Sequence, residues 1–146
     1  MGSGSRIHQS KIDRAAFPNL TDQNHRITSP RSAKYNCVAW AVNDIERWWE
    51  PGSFWPVPDE NRFDLDALVL AMLTIGFRPT TPAELDDSGE IIALYADTQF
   101  YTHAARRLPN GKWSSKLGRA EDIEHDRPED IAGGVYGSVM QFMQRI

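Results

Sequence analysis

The chain has 146 residues, enough for one domain that buries roughly 68–70% of its unfolded surface. It is 40% hydrophobic and 25% charged with a formal net charge of −4, so no basic surplus favours nucleic acid, and no apolar run approaches the ~18 residues of a membrane span. The single cysteine, Cys37, excludes an internal disulfide, and with no signal peptide visible the cytoplasm is the expected compartment.

In chain order, Met1-Gly2-Ser3-Gly4-Ser5 reads as an expression-tag remnant. Residues 6–31 lack periodicity and hold Pro18, Asn19, Asp22, Asn24 and Pro30, which predicts an extended arm anchored by Phe17, Leu20 and Ile27. Residues 1–31 are thus remnant and arm, and 32–146 one domain. Val38, Ala41, Val42, Ile45 and Trp48 then fall at helical spacing, with Asn36 as N-cap and Glu50-Pro51-Gly52 as the stop. Cys37 opens this helix, where the helix dipole and unpaired N–H groups favour a thiolate and can receive an oxyanion. The aromatic and proline-rich loop from Trp48 to Pro58 either caps the core or walls a substrate groove.

A second helix is predicted from the stripe Leu65, Leu68, Val69, Met72 and Leu73, capped by Asp64 or Asp66 and stopped by Gly76. After a loop the period changes, and strands are predicted over Glu90–Asp97, about Phe100–Leu108 and Lys112–Leu117. The link Leu108-Pro109-Asn110-Gly111-Lys112 has the chemistry of a hairpin with a one-residue bulge. Pairing Leu108 with Lys112 sets His103 opposite Leu117, on a face shared with Ser115 and Trp113. Arg119–Asp130 reads as a charged, solvated connection, and Tyr136, Val139, Met140 and Met143 as the apolar face of a C-terminal helix. The predicted class is α+β, helices packed on a small antiparallel sheet. Neither Cys-x-x-Cys nor His-x-x-x-His occurs, and Gly133-Gly134 follows no strand, so no metal and no cofactor is expected.

The Tyr35-Asn36-Cys37-x-x-Trp40-Ala41 segment, followed by strand-borne His103 in Thr102-His103-Ala104-Ala105-Arg106 and a hairpin, resembles the papain-like cysteine peptidase superfamily, nearest in size to its bacterial cell-wall amidase and endopeptidase branches. With Ser115-Lys116-Leu117-Gly118 the stretch also resembles an uncharacterised bacterial family. The resemblance implies a papain-like core and a cysteine hydrolase acting on an amide, isopeptide or thioester through an acyl-enzyme. Cys37 attacks, His103 moves the proton, and Ser115 stands at the interval of the base-orienting residue, with Asp122 as the alternative. Asn36 and the Cys37 N–H are assigned to the oxyanion, and Tyr35, Trp40 and Trp55 to the cleft wall. The expected partner is a peptide or protein substrate, with neither nucleic acid nor membrane. The rival reading is a non-catalytic binding or immunity-type module that holds a protein through the aromatic loop.

Overall fold

The computed structural model describes residues 12, 13, 15–29, 32–58, 60–117 and 121–146. Its strands are β1 (His25–Ser29), β2 (Arg78–Thr80), β3 (Glu90–Ala96), β4 (Tyr101–Arg107), β5 (Trp113–Lys116), β6 (Asp122–His125) and β7 (Ser138–Arg145). The α-helices are α1 (Cys37–Ala41) and α2 (Leu65–Thr74), and Pro82–Glu84 and Pro128–Ile131 form 3₁₀ turns. The strands make one seven-stranded sheet in the order β1-β6-β5-β4-β3-β7-β2, every pairing antiparallel. The protein is therefore largely β, which corrects the expected α+β papain-like core.

Each departure from the expected elements has a local cause. Helix α1 ends at Ala41 instead of near Trp49 because Asn43 adopts a left-handed φ of 69°. Asp44 N–H then reaches Ala39 O (2.8 Å) and Asn43 N–H reaches Trp40 O (3.0 Å), the paired bonds that close a helix end. The C-terminal helix is instead β7, paired to β3 along its length. A register shift there sets Leu94 opposite Gln141 but Tyr95 opposite Val139, leaving Met140 as the extra residue, 54% exposed. The bulge returns Val139 and Phe142 to one face, three residues apart, and so imitates helical spacing. The charged connection carries β6, all four of whose residues are buried. The expected arm supplies β1 at the sheet edge, while Phe17 and Leu20 are buried as anchors.

The hairpin has the expected register. Leu108 N–H donates to Lys112 O (2.7 Å), and Arg107 and Arg106 pair with Trp113 and Ser114. Helix α2 also forms as read, with Asp64 Oδ1 accepting from Ala67 N–H (2.9 Å) and Gly76 at φ 102°.

The sheet separates two apolar clusters. On one face, α1 and α2 bury Val38, Ala39, Leu68, Ala71 and Met72 against Ile92, Leu94, Ala104 and Met143. On the other, Phe17, Leu20, Ile131 and Ala132 cover Ile91, Ala93, Tyr95, Ala105, Trp113 and Ile123. Gly134 belongs to this second cover: any Cβ there would run into the Ala16 carbonyl, so the glycine lets two backbones touch. No helix among the described residues is long and apolar enough to cross a membrane.

Candidate functional site

Alternation along β4 decides where the predicted catalytic groups stand. Ala104 faces α1, so α1 packs close over a methyl group, and Cys37 lies half-buried in that helical layer. His103, one residue earlier, points through the opposite face, where it is fully buried, stacked on Tyr136 (4.1 Å between ring centroids, 13°) and edge-on to Tyr95 (5.1 Å). The sheet stands between the thiol and the imidazole.

Ser115 shares the face of His103 and bonds to it, but the pair belongs to a sealed polar chain. His103 Nε2 lies 3.0 Å from Ser115 Oγ, Ser115 Oγ 2.7 Å from His125 Nε2, and His125 Nδ1 2.8 Å from Arg127 O. A carbonyl only accepts, so His125 carries its proton on Nδ1, Ser115 donates to the bare Nε2, and His103 donates from Nε2 to Ser115. The basic nitrogen of His103 is therefore Nδ1, which is buried with no hydrogen-bond partner among the described residues. Burial, with His125 nearby, holds the His103 pKa well below its usual value, and burial lowers that of His125 too.

A pH dependence follows. Both imidazoles are neutral in the fold and titrate near 6.5 once unfolded, so the unfolded state binds more protons as pH falls below ~6.5. The stability they hold is complete above that pH and declines through pH 6 and 5, before most carboxylates titrate. Urea unfolding at pH 7.5 and 5 should show a lower midpoint at pH 5 and a smaller difference for His103→Phe, which keeps the stack on Tyr136 but cannot take a proton. Equal wild-type midpoints would refute the neutral buried chain.

Asp122, the alternative orienting residue, lies on the helical face with its Oδ2 accepting from Tyr35 OH (2.8 Å), so it does not reach His103. Tyr35 also stacks on Trp40 (5.5 Å), whose indole N–H donates to Ser114 Oγ (2.9 Å) and whose ring lies under the Arg106 guanidinium (4.3 Å). Tyr35 and Trp40 thus hold α1 to β4, β5 and β6 and do not line the cleft described next. Asn36 is the N-cap, accepting from Ala39 N–H (3.1 Å), but its amide is spent on Trp49, and an oxyanion would have to displace those bonds.

A cleft of about 490 Å³ opens to solvent at the start of α1, lined by Cys37 and Asn36 with Trp48, Glu50, Phe63, Phe100, Tyr101 and Thr102. Tyr101 is the middle ring of a ladder between Trp55 (6.0 Å, 10°) and Phe63 (6.3 Å, 21°), and its N–H donates to Phe63 O (2.8 Å). Trp55 therefore backs the cleft through Tyr101 without lining it. Burial pushes the Cys37 thiol from 9.0 up to about 11, outweighing the backbone N–H groups of Ala104, Val38 and Cys37 and the Lys116 charge, which favour the thiolate. The sequence reading assigns Phe63 and Phe100 to no site and places Glu50 only in the helix stop and the Trp48–Pro58 loop. Their signal was weak: single rings and an acid at element ends, outside any apolar stripe.

Comparison with known proteins returns no curated protein and no solved structure as a match. Residues 26–144 match a family model described as "Domain of unknown function (DUF7689)", a span that runs from β1 to the penultimate residue of β7 and includes the whole cleft, and the chain belongs to that family.

Proposed function

We propose that the domain is a non-catalytic binding module that takes a segment of a protein partner in the aromatic cleft at the start of α1. The observation carrying this reading is the convergence of two exposed rings, Phe63 (38% exposed) and Phe100 (51%), on a cleft backed by the half-buried Trp55–Tyr101 ladder. Aromatic rings supply large contact area at low entropic cost, and exposed ones beside a concavity are the usual anchors of recognition. Hydrolysis by Cys37 and His103 is disfavoured by the sheet between them and by a thiol held neutral.

A random-peptide display selection against the wild-type domain, counter-selected on Phe63→Ser/Phe100→Ser, tests the reading. Enriched peptides should bind the wild type at least tenfold more tightly than the double variant, a loss of about 1.4 kcal/mol, and should survive incubation with the wild-type protein intact. Equal binding to both proteins, or cleavage that disappears in Cys37→Ala, would overturn it.

A further inference from the structure

We infer that the cleft is selective for a cationic side chain, a guanidinium or ammonium presented by the partner; this rests on the binding reading above and names the chemistry it takes. Among the described residues lining the cleft, Glu50 alone carries a formal charge. Its carboxylate is exposed and makes neither a salt bridge nor a side-chain hydrogen bond among the described residues. The neighbouring cations are already engaged: Arg47 with Asp44 (2.9 Å), and Arg62 with Asp64 (3.4 Å) and Glu60 (3.9 Å). Burial is the main cause that raises the Tyr101 pKa, followed by Cys37 in its thiolate form and then by the Glu50 charge, so Glu50 is felt inside the cleft.

An unneutralised carboxylate beside π-faces is a complementary site for a cation, which is attracted by the ring quadrupoles and by the charge together. The loop beside the cleft already uses this recipe within the chain. The Arg47 guanidinium sits 3.7 Å from the Phe54 ring centroid and 5.9 Å from that of Trp49 while paired to Asp44. Guanidinium fits better than ammonium here because its plane can lie on a ring while its edge donates to Glu50.

The test is a titration followed by amide NMR, using N-acetylarginine N-methylamide and its neutral isostere N-acetylcitrulline N-methylamide as probes. The arginine probe should move the Cys37, Phe63, Tyr101 and Thr102 amides saturably and bind at least fivefold more tightly than citrulline. Glu50→Gln, at an exposed carboxylate with no side-chain partner among the described residues, should bring the ratio to about one, and Phe100→Leu should weaken arginine more than citrulline. If both probes bind equally to the wild type, the cation selectivity is wrong while the binding reading stands on its peptide selection. If neither moves those amides, the cation site is wrong, and the peptide selection judges the binding reading separately. Selectivity that persists in Glu50→Gln would also overturn the assignment.

Discussion

Iodoacetamide should label native Cys37 at neutral pH about a hundredfold more slowly than an unperturbed thiol, with a titration midpoint near 11 that His103→Ala leaves in place. The magnitude follows from the shift from 9.0 to about 11, because the thiolate is the reacting form and its fraction at neutral pH drops tenfold per unit. The insensitivity follows from the fold. Removing a histidine on the far side of a sheet takes away no cation that faces the sulfur, and the charge that does favour the thiolate belongs to Lys116. Since Cys37 is the only cysteine, intact-mass spectrometry after timed labelling reads the site without digestion. His103→Phe, which retains the stack on Tyr136, serves as the second variant should the alanine be too unstable. Labelling that titrates below neutral pH and moves up in either variant would restore a thiolate–imidazolium couple and with it the hydrolase.

That outcome bears on how much of this molecule was legible beforehand. The hairpin was, because period-two alternation and a Pro-Asn-Gly turn fix both its existence and its register, and the register put Ser115 beside His103. The start of α1 was legible through its asparagine cap. The side of the sheet on which α1 lies was not, because it depends on packing between distant elements. The clue was Ala104: a short helix crossing a strand closely needs a small residue beneath it, which sends His103 to the other face. Strand β6 was hidden by its charges, since a run of Asp122, Glu124 and His125 looks solvated until Tyr35, Arg26 and Ser115 are seen to partner them. The cleft is harder still to read. Its rings come from a loop, the residue before a helix cap and a turn between strands, and no window of sequence contains them together.

Asn36→Ala should destabilise the domain by about 2–4 kcal/mol, and Asn36→Asp by a comparable amount, with thermal midpoints about 5–15 °C lower. Asn36 is buried and does more than cap α1. Its Oδ1 accepts from Ala39 N–H and Trp49 N–H (both 3.1 Å), and its Nδ2 donates to Trp49 O (2.7 Å), so one side chain satisfies both backbone groups of Trp49. Trp49 is itself buried, bridged to Phe54, and flanked by the cleft residues Trp48 and Glu50. Alanine removes the cap, worth about 1 kcal/mol, and leaves a buried N–H and C=O each costing about 1–3 kcal/mol if unpaired, partly relieved by water. Aspartate separates the two roles. It remains a good N-cap and gains from the helix dipole, so a residue that only capped α1 would tolerate it. Here it loses the donor and presses a carboxylate against the Trp49 carbonyl. Chemical denaturation of the three proteins at pH 7.5 therefore distinguishes a helix cap from a staple that joins α1 to the wall of its own cleft: an aspartate variant with the wild-type midpoint would leave only the cap.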